Sequence, residues 1–223
     1  AYDGTTSMSG VALNLSTLET NDVVTVNGAG AFANKNAGTG LNYTISNLAL
    51  SGTDASNYHL TGGSSFSGSN GVITAVPLTI TASNASKTYD GVAYSGGNGV
   101  SYSGFVGGES ASALGGSLSY GGTSQGATNA ATGYTIVPSG LSSSNYIISY
   151  VNGALDIAKA NATVTANSNT TTYNGLSQSV SGFTATGLVN NETTSVLSGV
   201  TAGASGTNAG TYTASANGTD GNY

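Results

Sequence analysis

The segment "LTITASNASKTYDG" (residues 78–91) aligns without gaps on "ATVTANSNTTTYNG" (residues 162–175), at an offset of 84 residues. Leu78 falls on Ala162, Ile80 on Val164, Ala82 on Ala166 and Tyr89 on Tyr173. Each copy opens with alternating apolar and polar side chains, the period of a half-buried strand. Each closes on an aromatic residue, a turn-former with a side-chain oxygen, and glycine. Tyr-Asp-Gly also stands at Tyr2, Asp3 and Gly4, so the triplet comes three times at a near-constant interval. Self-similarity at a fixed period is the mark of a repeat protein, and a triplet that keeps that period reads as scaffold.

Two further signatures recur in the same order. "NAGT" (residues 36–39) returns as "NAAT" (residues 129–132) and "NAGT" (residues 208–211). An Asn-Tyr pair follows each: Asn57-Tyr58, Asn145-Tyr146 and Asn222-Tyr223. These signatures place repeats at residues 1–76, 77–160 and 161–223, with Pro77 near the first junction. The first repeat lacks the strand expected before Tyr2, and the third lacks the segment that continues the second through "IISYVNGALDIAKA" (residues 147–160). No signal peptide is visible, and the chain reads as a piece of a longer polypeptide. With no long linker between repeats, stiff junctions and an elongated array are expected.

Each repeat reads as all-β. In the second, strands are expected near residues 78–82, 98–106, 116–120, 133–137, 145–151 and 154–158. Asn152-Gly153 lies between two alternating runs and predicts a hairpin turn, since both residues tolerate positive φ. No window carries a helical period. About 84 residues suit either a small β-sandwich or a β-grasp-like sheet, and the sequence leaves both open.

Composition narrows the function classes. Charged residues make up 5 % of the 223 residues, and Lys35, Lys87 and Lys159 are the only basic side chains. With a net charge of −6, the chain lacks the clustered Lys and Arg that nucleic acid or an anionic membrane surface requires. The bias toward small polar residues does not mean disorder. Thirteen tyrosines are present, and alternating runs occur at "VITAVPLTITA" (residues 72–82) and "ALDIAKANATVTA" (residues 154–166). Cysteine is absent, which excludes disulfides, thiolate metal sites and a thiol nucleophile. That absence suits a secreted chain that crosses a membrane unfolded. No run of eighteen apolar residues offers a membrane span.

"TYDG", "FANKNAGTG" (residues 32–40), "LSGTDASNY" (residues 50–58) and the closing "LTITA" strand resemble the YDG repeats of large bacterial surface proteins. The second and third copies are similar to the related MBG-type repeats. Such repeats occur in tandem in filamentous-haemagglutinin-like adhesins exported by two-partner secretion, and in other giant exoproteins of Gram-negative bacteria. The resemblance implies an extracellular or cell-surface location, a stalk-forming or matrix role, and no catalytic residues. Two departures are small: Asn174 stands for Asp in the third triplet, and Ala131 for Gly in the second "NAGT".

The candidate site residues divide between structure and chemistry. In Tyr89, Asp90 and Gly91, and equally in Tyr173, Asn174 and Gly175, the tyrosine reads as packed. Asp or Asn reads as a turn cap, and glycine supplies positive φ. Asn at position 174 argues against an essential carboxylate. Asp3 and Asp90 are thus weak metal candidates, since calcium takes six to eight oxygens and no Asp-rich loop is present. No cofactor is expected. The Asn-Tyr tyrosines read as strand starts with rings inward, with sugar stacking as the functional alternative. His59, the single histidine, reads as exposed and belongs to no triad or metal set. Glu19, Asp22, Glu109 and Glu192 lie in loops; Glu109 and Glu192 are 83 residues apart, the repeat period, so they read as structural or solubilising rather than as a glycosidase pair. Sequons stand at Asn14, Asn42, Asn84, Asn161, Asn169, Asn191 and Asn217, positions at which some related adhesins carry sugars.

The reading that follows is a non-catalytic shaft segment of an extracellular bacterial adhesin or matrix fibre. Its partners would be neighbouring repeats of the same chain, or identical chains in a fibre. One alternative is a subunit that polymerises by strand addition between chains, because edge strands here have few lysine guards. The other is a module that binds glycans or a host surface.

Overall fold

The computed structural model describes residues 1–8 and 11–223. In the first repeat, β1 (Ser7–Met8), β2 (Thr25–Phe32), β3 (Gly38–Ser51) and β4 (Phe66–Ile73) form an antiparallel meander in chain order. Alternation along β3 buries Ile45, and Ile73 is buried at the end of β4. The β2–β3 register slips at Gly28, where a Cβ would lie 2.8 Å from Leu48 Cδ2. Glycine lets the Leu48 and Ile45 side chains close over the bulge.

The second repeat contributes β5 (Val76–Ala82), β6 (Ala85–Thr88), β7 (Val100–Ser103), β8 (Gly115–Gly121), β9 (Ala131–Ser142), β10 (Tyr146–Val151) and β11 (Gly153–Ala158). They form two sheets, ordered β10-β5-β7 and β6-β11-β9-β8. β11 runs antiparallel to β9 and parallel to β6. Alternate residues of β5 and β11 are buried, as their sequence pattern dictates. Ala82 from one sheet meets Ile136, Leu155 and Ile157 from the other in a single core that also takes Tyr89, Ala127 and Ala160. Of the two topologies open at the sequence level, a two-sheet arrangement forms, and no α-helix occurs among the described residues.

Two features correct the sequence reading. β10 and β11 belong to different sheets, so Asn152-Gly153 is not a hairpin turn, and neither residue has positive φ. The chain turns a corner between layers there. A Cβ on Gly153 would lie 2.8 Å from the carbonyl oxygens of Ala82 and Ser83, so this glycine serves a close backbone approach. Two alternating runs around Asn-Gly look the same in sequence whether the strands pair or part. The second feature is β6. Ala-Ser-Lys-Thr carries no alternation of its own, and it is a strand because β11 lies beside it.

In the third repeat, β12 (Thr163–Ala166) pairs with β14 (Phe183–Thr186), while β13 (Gln178–Ser181), β15 (Val200–Gly206) and β16 (Ser215–Gly218) form a second antiparallel sheet. Leu197 is buried there. By contacts the chain divides into two compact units. One comprises Ala1–Ile80, Tyr102–Ser117 and Gly140–Ser149; the other comprises Thr81–Ser101, Leu118–Ser139 and Tyr150–Tyr223. Each unit takes part of the second repeat.

Gly153→Ala is expected to cost about 1–3 kcal/mol, because a methyl group must displace backbone, while Asn152→Ala, at an exposed corner, stays within about 0.5 kcal/mol. Urea denaturation of the two variants checks this; a hairpin turn would make both substitutions costly.

Candidate functional site

The Tyr-Asp-Gly triplet is a local device before it is a tertiary one. Asp3 Oδ1 accepts the Thr5 N–H at 2.8 Å, Asp90 Oδ1 that of Val92 at 2.9 Å, and Asn174 Oδ1 that of Leu176 at 3.0 Å. Gly4, Gly91 and Gly175 follow with φ of +81°, +70° and +78°. Asp and Asn serve this turn equally, since each offers one carbonyl-type oxygen. The Thr5 N–H holds Asp3 below the usual carboxylate range, and the Lys87 ammonium does the same for Asp90. These oxygens are engaged in turns. No cluster of three metal-ligating side chains occurs among the described residues.

The turn aims the preceding tyrosine. The Tyr2 N–H donates to Thr74 O at 2.8 Å, and the Tyr89 N–H to Ala158 O at 2.7 Å. Each backbone is thereby tied to the end of its own repeat while the side chain reaches the next. Tyr2 lies 2 % exposed against Tyr146, 3 % exposed, edge to face with ring centroids 5.6 Å apart. Tyr2 Oη donates to Glu109 Oε1 at 2.6 Å, and Tyr146 Oη donates to Glu109 Oε2 at 2.7 Å. One carboxylate thus holds two buried phenols, one on each oxygen. The Val106 N–H donates to Tyr146 Oη, and Phe105 packs edge to face on the Tyr146 ring.

The same clasp is built a second time. Tyr89 and Tyr223 meet edge to face at 5.4 Å. Their hydroxyls donate to Glu192 Oε1 and Oε2 respectively, and the Val189 N–H donates to Tyr223 Oη at 2.9 Å. Tight turns carry both acids. The Glu109 N–H bonds to Val106 O, and the Glu192 N–H to Val189 O. The intervening Gly107-Gly108 and Asn190-Asn191 all have positive φ, which a two-residue turn of this hand requires. The first clasp lies wholly in the first compact unit and the second wholly in the second.

The other two signatures converge on the same places. Asn145 Oδ1 accepts the Ala37 N–H of the first "NAGT" at 2.8 Å, and Asn145 O accepts the Val76 N–H. Asn222 Oδ1 accepts the Ala130 N–H of "NAAT" at 2.8 Å, and Asn222 O accepts the Ala160 N–H. Triplet, "NAGT" and Asn-Tyr pair are therefore three parts of one joint. In the first repeat, Asn57 stands beside Tyr58, whose Oη donates to Asp22 Oδ2 at 2.7 Å and accepts the Glu19 N–H. This is a two-member version of the clasp. Tyr173 is 63 % exposed. His59 is exposed, as are the sequon asparagines Asn14, Asn42, Asn84, Asn161, Asn169, Asn191 and Asn217.

Lys35 Nζ also binds Glu109 Oε1, at 2.7 Å. This ammonium, with the Tyr2 and Tyr146 hydroxyls, pushes the Glu109 carboxyl down to about 2. Aligned on "NAAT", the counterpart of Lys35 is Thr128. Hydrogen bonding to Glu192, reinforced by burial, pushes the Tyr89 phenol up to about 12. Burial first, and the neighbouring carboxylate second, also raise Tyr2, Tyr146 and Tyr223. With both carboxylate oxygens occupied and the phenols held protonated, this geometry fastens one repeat to the next. Sequence alone reads Glu109 and Glu192 as structural or solubilising and names no partner for either. Their signal was the pair "GFVGGE" (residues 104–109) and "GLVNNE" (residues 187–192), matched at the repeat offset.

Compared with family models, residues 78–156 and 162–223 match the MBG domain (YGX type), and residues 1–65 match the YDG domain. No curated protein and no solved structure matches the chain.

Glu109 contributes stability that is present above its ordinary pKa of 4.5 and lost as pH falls from there toward 2. Tyr89 contributes stability present below pH 10 and lost as pH rises through about 12. Thermal melts across pH should therefore fall at both limits. Glu109→Gln should flatten the acid limb, and Tyr89→Phe the alkaline limb. Tyr89→Phe should also cost about 1–3 kcal/mol at neutral pH, because it leaves a part-buried carboxylate oxygen without its donor.

Proposed function

The chain belongs to the MBG domain family (YGX type), with a YDG domain at its start, and from that premise we propose that it is a load-bearing shaft segment of an extracellular bacterial adhesin or matrix fibre. MBG domains occur in adhesin-like extracellular proteins. The observation that carries the reading is the clasp built twice, from Tyr2, Glu109 and Tyr146 and from Tyr89, Glu192 and Tyr223. A joint repeated at the period of the sequence transmits tension from one repeat to the next and leaves few degrees of freedom between them. In such a shaft the chain sets reach and stiffness, recognition is carried elsewhere on the parent protein, and no catalysis takes place. The low charge supports this, because a surface of small polar side chains presents few strong attachment points to passing ligands.

Single-molecule force spectroscopy tests the reading. The chain should rupture in discrete steps, and Glu109→Ala combined with Glu192→Ala should lower the rupture force while each repeat still unfolds cooperatively. A glycan array should return no ligand. High-affinity capture of one glycan, with rupture forces unmoved by the two substitutions, would assign the chain to recognition instead.

A further inference from the structure

The chain has thirteen tyrosines and neither tryptophan nor cysteine. Those two are the side chains that compete with tyrosine in giving up a single electron, so an electron taken from this chain leaves from tyrosine. Among the ring contacts of the described residues, tyrosine meets tyrosine twice, and both times in a clasp. Each pair donates its hydroxyls to the two oxygens of one carboxylate. That shared acceptor draws the oxygen ends of both rings together, and with them the Cε carbons beside each Oη. At the first clasp a path of rings leads outward. Half-buried Tyr102 lies 5.4 Å from Phe105, and Phe105 lies 5.4 Å from Tyr146, centroid to centroid. These residues, with Tyr2 and Glu109, all belong to the first compact unit.

We infer that the clasp is a site of oxidative cross-linking, at which Tyr2 and Tyr146 join through a Cε–Cε bond when a haem peroxidase supplied with hydrogen peroxide oxidises the chain. An oxidised phenol is a strong acid, and the carboxylate is already its hydrogen-bond acceptor. The Tyr2 hydroxyl proton therefore passes to Glu109 Oε1 as the electron leaves. The Glu109 side chain is 15 % exposed, so it hands that proton to water and then takes the Tyr146 proton on Oε2. The Val106 N–H remains on the Tyr146 oxygen throughout. Phe105 bridges Tyr146 to Tyr102 and shortens the gap the electron crosses to reach an oxidant at the surface. In a phenoxyl ring the spin sits on the oxygen and on the carbons ortho and para to it. The para carbon carries the rest of the side chain, so coupling falls to Cε. The two radicals pair their electrons in the new bond, and each ring then moves its Cε hydrogen to its oxygen, which restores both phenols. Two hydrogen atoms leave the protein, and one hydrogen peroxide becomes two waters. By the same geometry Tyr89 joins Tyr223 over Glu192. Such a link fixes one repeat covalently to the next. Its use in a shaft rests on the reading above, whereas its chemistry rests on the clasp alone.

The full chain is treated with a haem peroxidase and hydrogen peroxide, and the monomer is isolated, digested and mapped by mass spectrometry. The expected product is a monomer lighter by two hydrogen atoms per link, with dityrosine fluorescence and a cross-linked peptide pairing Tyr2 with Tyr146. Tyr2→Phe should abolish that peptide and leave the Tyr89–Tyr223 link in place. Glu109→Gln keeps a side chain of the same shape but accepts no proton, so it should slow the first link at least about tenfold and leave the rate of the second unchanged. A purely structural glutamate would not separate the two rates in this way. An unchanged rate in Glu109→Gln would overturn the inference. So would links confined to the exposed Tyr173 and Tyr212 of separate chains, or oxidation of those residues with no link inside the monomer. None of these outcomes touches the rupture-force experiment, which is made on the unoxidised chain.

Discussion

Two phenols and one carboxylate meet at each junction, and each satisfies polar groups of the others. A buried hydroxyl without a partner costs about 1–3 kcal/mol, and a desolvated carboxylate costs more. Tyr2 and Tyr146 each need an acceptor, Glu109 needs donors for both oxygens, and the three meet both requirements together. Because the phenols come from different repeats, the burial of one repeat's tyrosine depends on the next repeat being folded. The junction is thus a cooperative unit, and the compact units of the chain cut through the second repeat rather than between repeats. The Tyr58–Asp22 pair joins one phenol to one carboxylate within the first repeat.

Turn chemistry makes these clasps affordable in a chain with so few charges. Val-Gly-Gly-Glu and Val-Asn-Asn-Glu are different sequences for one backbone shape, since Gly and Asn are the residues that accept successive positive φ. That turn points the glutamate at the joint and presents the valine N–H to the second phenol. The Asx turn of the triplet shapes the backbone just after the first phenol. Preorganised backbone keeps the entropy of ordering each clasp low.

Much of this was legible beforehand. The spacing of Tyr2, Tyr89 and Tyr173 gave the period, alternation in residues 78–82 and 154–158 gave strands and their buried faces, and Asn174 in place of Asp pointed to a turn cap. The unread parts share a cause. β6 has no pattern of its own, the corner at Gly153 mimics a hairpin, and Glu109 and Glu192 look like ordinary loop acids. Each takes its role from residues tens of positions away, and local periodicity carries no information about such partners.

By itself the sequence determined the repeat, the all-β class, the buried faces of β5 and β11 and the Asx turns of the triplets, because these follow from residue spacing, side-chain polarity and the φ each residue accepts. Only the tertiary structure decided that the three signatures form one joint, that Glu109 and Glu192 each bind two tyrosines, and that β10 and β11 part into different sheets at Gly153. Those outcomes depend on which distant segments lie side by side, and burial and hydrogen-bond satisfaction act on that proximity rather than on order along the chain.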